Sequence, residues 1–226
     1  MQPPGHFILF GSTGPSGLKI IELALSRGNY LTLYVRSPDK LPEDVRNSPL
    51  VRVVVGQLDD EAALESCFSK LEDFPVVKGI ISVLGAKVGQ PQGNPITKGY
   101  EIIFKLMKMH DIKNIVLLST VSVKSPKDHF SLVRESLVAG IKLIGHSAWE
   151  DVVATGELVH SEASDGLNVT LARVPTLNDS KGGSLKVGFV GDRYVGWLLS
   201  RNDLATFFVG EAEKPEWAGE IPLLSS

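Results

Sequence analysis

The stretch Phe7-Ile8-Leu9-Phe10-Gly11-Ser12-Thr13-Gly14-Pro15-Ser16-Gly17-Leu18 decides the fold. An apolar run ends at a glycine, two more glycines follow at steps of three, and Leu18 to Leu25 then carries apolar residues at helical spacing until Arg27-Gly28 stops it. The order is strand, glycine turn, helix. Glycines there reach backbone conformations closed to other residues and let the main chain approach a ligand, while the free amides of the helix N-terminus stabilise negative charge. In this strand-to-helix context Gly11, Ser12, Thr13, Gly14, Pro15, Ser16 and Gly17 read as a cradle for the pyrophosphate of a dinucleotide, the plainer alternative being a tight turn.

Outward from that turn, strand and helix alternate. Tyr30 to Val35 is β-branched and aromatic, and Val51 to Val55 is an apolar run apart from Arg52, as expected of strands covered on both faces. Ser37 to Pro49 between them reads as loop with at most a short helix. A helix is expected over 60–71, capped by Asp59 or Asp60, then a strand over 76–84, a loop over 85–95 with three glycines and two prolines, a helix over 96–110 and a strand over 114–119. Residues 131–164 read as two helical pieces broken around Gly140 or Gly145, and 167–172 as the sixth strand. In the tail, 185–190 suggests an edge strand, 201–211 a helix and 221–224 a last strand. This pattern predicts a doubly wound parallel sheet between two helical layers, a Rossmann fold, as one domain over 1–226, with segments near 124–150 and 176–200 covering a substrate.

The end of the second strand discriminates between cofactors. An acid there would accept the ribose hydroxyls of NAD, whereas an arginine would pair with the additional phosphate of NADP. The sequence has Arg36, followed by Ser37 and Lys40, so two cations and a hydroxyl surround that position. NADP(H) is the expected cofactor, the alternative being a solvated surface arginine.

Composition narrows the partners. A formal net charge of -3 over 226 residues leaves no broad basic field for nucleic acid. The single cysteine, Cys67, excludes an intrachain disulfide and suits a reducing compartment. No charged leader precedes an apolar run at the start and no apolar run approaches bilayer length, so a cytoplasmic protein without membrane association is expected. Its partner would be a small molecule, and the chain a monomer or homodimer. Leu137 to Gly145 is the greasiest segment, and Lys142 interrupts it; it reads as core, pocket wall or dimer face.

Further fragments resemble the atypical short-chain dehydrogenase/reductase proteins, in particular the NmrA-like and biliverdin reductase B-like branches. Gly56-Gln57-Leu58-Asp59 is similar to the family's Gly-Asp-Leu-x-Asp segment, with glutamine where aspartate is usual, and the resemblance places Gln57, Leu58 and Asp59 along the adenine. Val83, Leu84 and Gly85 resemble the fourth-strand end, and Ser119-Thr120 the fifth-strand end that faces the nicotinamide. Gly166-Leu167 through Arg173-Val174-Pro175 resembles the Gly-Leu-x-x-Thr-x-x-Arg-x-Pro stretch, adding Pro175 to the cofactor contacts, and Asp203-Leu204-Ala205 matches a late helix. The likeness spans nearly the whole chain and implies the fold, NADP(H) binding and an oxidoreductase.

Reductases of that superfamily use a Tyr-x-x-x-Lys pair as proton donor, which this sequence lacks. Tyr100 and Lys105 have the wrong spacing, and where relatives carry the acid this chain has His146-Ser147-Ala148-Trp149-Glu150. An indole cannot shuttle protons. The candidate catalytic residues are therefore Ser119 and Thr120, which could bond a carbonyl or simply cap backbone, and His146 and Trp149 on the following helix. Ser122, Lys142 and Glu150 are further polar groups nearby. The five histidines show no zinc spacing, and no metal is expected. Two functions follow: an NADPH-dependent reductase of a small apolar or aromatic carbonyl, imine, iminium or conjugated substrate, with or without a coupled cyclisation or rearrangement in specialised metabolism, or a non-catalytic NmrA-like redox sensor.

Overall fold

A computed structural model describes residues 3–226. Its ten strands and seven helices run β1 (His6–Phe10), α1 (Pro15–Ser26), β2 (Tyr30–Val35), α2 (Glu43–Arg46), β3 (Val51–Val55), α3 (Glu61–Ser66), β4 (Val77–Ser82), α4 (Pro95–Met109), β5 (Asn114–Thr120), α5 (Leu132–Ile144), α6 (His146–Val159), β6 (Asn168–Val174), β7 (Thr176–Asn178), β8 (Lys186–Gly188), β9 (Leu198–Ser200), α7 (Arg201–Glu213) and β10 (Leu223–Ser225). Eight strands form one sheet in the order β3-β2-β1-β4-β5-β6-β10-β8. All its pairings are parallel except that of β8 with β10. The strand order reverses between β1 and β4, where open α/β sheets leave a crevice at the strands' carboxyl ends.

The alternation of side chains across the pleat divides the core into two layers. Phe7 and Leu9 of β1 join α1 and α7 on one face, while Ile8 and Phe10 join α4 and Tyr100 on the other. Both faces are thus sealed, as the continuous apolar strands require.

Two local outcomes depart from the sequence expectation, and a third chooses between its alternatives. The helix expected over 60–71 closes at Ser66, where the serine hydroxyl donates to Ala63 O (2.7 Å) and Arg52 donates to Ser66 O (2.9 Å), diverting groups from the helical ladder. Asp60 does cap it, accepting from Ala63 N at 3.0 Å. The helical break falls at Gly145, whose backbone (φ -137, ψ 55) is non-helical, and not at Gly140, which stays inside α5. The short parallel pair β7–β9 was not expected from sequence, since three-residue strands brought together from distant positions carry no periodic signal.

Two buried arginines fix the segment after β5. Arg134 of α5 donates to Val121 O (2.9 Å) and Ser122 O (3.3 Å). Arg173 of β6, fully buried, donates to both carboxylate oxygens of Asp128 (2.6 and 2.7 Å) and to Val123 O. Burial alone would raise the Asp128 carboxyl, yet the Arg173 guanidinium and the Ser125 and Val190 amides hold it below its ordinary value.

Candidate dinucleotide site

The three glycines of the first turn have different duties. Gly11 adopts φ +81, and a Cβ there would lie 2.8 Å from the Val83 carbonyl. At Gly17 a Cβ would come within 2.3 Å of Gly11 O, so helix and turn meet too closely for any side chain. Gly14 differs: its backbone is ordinary (φ -85, ψ 163), and a Cβ would have only one neighbour, Gly11 O at 3.7 Å. Protein packing does not demand glycine at 14, but a close-lying phosphate would. Pro15 occupies the first helical position, between Gly14 and Ser16, and the amides of this turn open α1 without an acidic residue in its first turn. The Ser12 hydroxyl is buried with no hydrogen-bond partner, an unsatisfied group beside the amides that would hold a pyrophosphate.

Arg36 stands just past the end of β2 and borders a cavity of about 440 Å³ with Val55, Gly56, Gln57, Asp59 and Asp60. Among the described residues neither the Arg36 nor the Lys40 side chain has an ion-pair partner. Ser37 precedes the 3-10 turn Pro38–Lys40 and leaves its hydroxyl uncommitted to a cap. Asp60 spends its carboxylate on α3, whose N-terminal dipole offsets its charge. The Tyr34 hydroxyl donates to Gln57 O (2.7 Å) and its ring fills the space beside Gly56, fixing the cavity floor. Leu58 instead turns toward Gly99 of α4, 3.0 Å from where a Cβ would stand, and does not line the cavity.

Val83, Leu84 and Gly85 follow β4, with Val83 N bonded to Phe10 O (3.0 Å). Pro175 sits between β6 and β7. Ser119, at the end of β5, is buried with an unpartnered hydroxyl, and so is Ser122. Thr120 takes the capping role, its hydroxyl accepting from Ser122 N at 3.2 Å. All these residues lie at one edge of the sheet, the carboxyl ends of β1, β2, β4, β5 and β6.

His146 and Trp149 share a depression that Ser119 does not line. They stack on each other (5.8 Å between centroids), His146 Nε2 lies 3.1 Å from Glu150, and Lys142 Nζ sits 4.3 Å over the indole. With Gln92, Gly93 and Asn94 they line a second depression of about 500 Å³ on the outward face of α6. The inward face carries Asp151, fully buried, which accepts from Ile96 N (3.1 Å), Thr97 N (2.9 Å), Thr97 Oγ1 (2.8 Å) and Gln90 Nε2 (2.8 Å) and so ties the β4–α4 loop to α6. Sequence reasoning missed this acid, although its position in the inward phase of an amphipathic helix was a usable signal. Tyr100 does not replace the missing proton donor. Burial, with the Asp151 charge adding to it, pushes its phenol far up despite the 2.7 Å bond to Ser82, so it stays protonated and sealed. Among the described residues no cluster of metal-ligating side chains occurs, and no helix is long and apolar enough to cross a membrane.

Comparison with known proteins identifies the family. Residues 11–215 match the model of a family described as NAD(P)H-binding. Solved structures of similar fold include a short-chain dehydrogenase/reductase from Veillonella parvula DSM 2008 in complex with NADP, 14% identical, with a TM-score of 0.77 over 98% of this chain and 94% of that one. Another is the oxidoreductase ylbE from Lactococcus lactis, 15% identical, with a TM-score of 0.72 over 98% and 90% of the two chains. ChuY, an anaerobillin reductase from Escherichia coli O157:H7, is 18% identical, with a TM-score of 0.68 over 97% and 96%.

Proposed function

Because the chain belongs to the NAD(P)H-binding family, we propose that it is an NADPH-dependent reductase of a small apolar or aromatic carbonyl, imine, iminium or conjugated substrate. The observation that carries this reading is the convergence, on one edge of the sheet, of the glycine cradle, an unpartnered arginine at the end of β2 and the buried free hydroxyl of Ser119. Amides of the first turn bind the pyrophosphate, with the Ser12 hydroxyl completing their set. Arg36, Ser37 and Lys40 hold the ribose phosphate, and that NADP accompanies the Veillonella structure of like fold is consistent with the choice. The nicotinamide, when bound, supplies a hydride.

Ser119 is a hydroxyl within β5 left without a partner in the protein, so it orients the carboxamide or the substrate's polar atom. The buried phenol of Tyr100 gives no proton. Substrates whose reduced form needs none from the protein, such as an iminium, or one able to take it from water, such as a quinone, suit the site best. Reduction that sets up a cyclisation or rearrangement in specialised metabolism is compatible with the same apparatus.

The sealing of Tyr100 favours one second reading, a dinucleotide-binding redox sensor without turnover. The test is to follow absorbance of NADPH with a panel of quinones, imines, enones and flavins. Consumption on any of them supports the reductase. Tight binding without turnover, and with unequal affinity for NADPH and NADP, would replace it by the sensor.

A further inference from the structure

The cavity at the end of β2 carries free charges of both signs. Arg36 is exposed at its rim, and much of the remaining wall is the turn 57–60, closed by Asp60 N donating to Gln57 O (3.0 Å). The Tyr34 hydroxyl donates to the same carbonyl (2.7 Å), which fixes the turn to β2. Within the turn Leu58 leaves the cavity for Gly99, and Asp60 gives one carboxylate oxygen to Ala63 N. Asp59 has no such duty. It is exposed, it borders the cavity, and among the described residues its carboxylate has no ion-pair partner, Arg36 included. Its charge nonetheless reaches β2: burial raises the Tyr34 phenol, and the Asp60 and Asp59 carboxylates raise it further.

These two charges have opposite uses. A guanidinium pairs with a phosphorylated ribose, whereas a carboxylate accepts from the hydroxyls of an unphosphorylated one and repels the phosphate. A compact cavity of about 440 Å³ is on the order of 9 Å across, close to the Debye length of about 10 Å at 0.1 M salt, so Asp59 acts on a phosphate held by Arg36. At that range, with solvent-like screening, one unit charge changes the affinity of a phosphate of charge about −1.5 to −2 by about three- to fivefold. Position 57 adds nothing to this charge, because Gln57 is a neutral amide whose carbonyl alone is engaged by the turn.

We propose that this cavity takes NADH as well as NADPH, and that Asp59 is a residue setting the choice: Arg36 favours the phosphorylated ribose and Asp59 offsets part of that preference. The inference rests on the reading of the cavity as the ribose end of a dinucleotide site. The opposition leaves NADPH favoured by on the order of tenfold. Gln57 keeps the balance from tipping toward NADH, since an acid there would set a second free negative charge beside the phosphate.

The test is calorimetry of NADPH and NADH with the unaltered protein and three variants, at low and at high ionic strength. Saturable binding of both nucleotides by the unaltered protein is expected. Asp59→Asn should widen the NADPH preference about three- to fivefold, and Gln57→Glu should narrow it by a similar factor, both effects shrinking as salt rises. Gln57→Ala removes the amide without changing the charge, so it should move the two nucleotides by the same factor. Both positions are exposed, and thermal melts should show each variant folded as the unaltered protein is. An unchanged or narrowed preference in Asp59→Asn, equal loss of both nucleotides in Gln57→Glu, or NADPH binding without detectable NADH binding in the unaltered protein would overturn the proposal. Failure of both nucleotides to bind the unaltered protein would instead remove the underlying reading of the site.

Discussion

Arg36→Ala should separate the two pyridine nucleotides. In water a unit charge pair at 4 Å is worth about 1 kcal/mol, and a ribose phosphate carries a charge of about −1.5 to −2. Arg36 is exposed at the rim of its cavity, so screening keeps the pair near this solvent-side value, and hydrogen bonding to a charged group brings the total to about 2 kcal/mol. That corresponds to about a 30-fold weaker NADPH affinity. NADH has no such phosphate and should bind the variant as it binds the unaltered protein. Lys40→Ala should act in the same direction and less, since a flexible exposed lysine contributes under about 1 kcal/mol. The assay is calorimetry with both nucleotides at two ionic strengths, and the NADPH preference should shrink as salt rises. Equal loss for the two nucleotides, or no loss for either, would refute the assignment of Arg36 to the phosphate.

The glycine turn predicts a contrast: Gly14→Ala should keep Tm and lose NADPH affinity, whereas Gly17→Ala, with its Cβ at 2.3 Å from Gly11 O, should destabilise the fold by about 1–3 kcal/mol as well; thermal melts with and without NADPH check both. Asp128→Asn leaves the fully buried Arg173 without its anion and should cost about 3–5 kcal/mol in urea unfolding. Because the Asp128 carboxyl sits below its unfolded value of 3.8, its contribution is present above that pH and disappears as pH falls through the folded value, so the variant should also lose this acid-limb dependence. His6 is held neutral, its ring buried between Pro75 O (2.9 Å) and Thr32 Oγ1 (2.8 Å), with burial lowering its pKa. Its stabilisation is complete above the unfolded value of 6.5 and declines as pH falls below it, so Tm should drop between pH 7.5 and 5.5, and a pH-independent Tm would contradict this.

The order of elements was legible because strands covered on both faces leave largely apolar runs, and β2 and β3 fall where Tyr30 to Val35 and Val51 to Val55 suggest, although β3 is the half-buried edge strand and carries Arg52. The turn Gly11 to Gly17 was legible because backbone geometry restricts residue choice, and two of its glycines prove sterically compelled. Non-local features were not. Asp128 meets Arg173 across 45 residues and Asp151 meets Thr97 across 54, and nothing in local periodicity announces such pairings. The catalytic candidates divide for the same reason. Ser119 and Thr120 are placed by strand register, which the sequence displays, whereas the facing of His146 and Trp149 depends on how α6 is rotated by the Asp151 anchor.

The measurement closest to the central claim is calorimetric titration of NADPH into the unaltered protein. One binding site per chain, with heat that vanishes in Gly14→Ala while the fold persists, is the predicted result. No heat with either NADPH or NADH, from protein that melts cooperatively, would contradict the account.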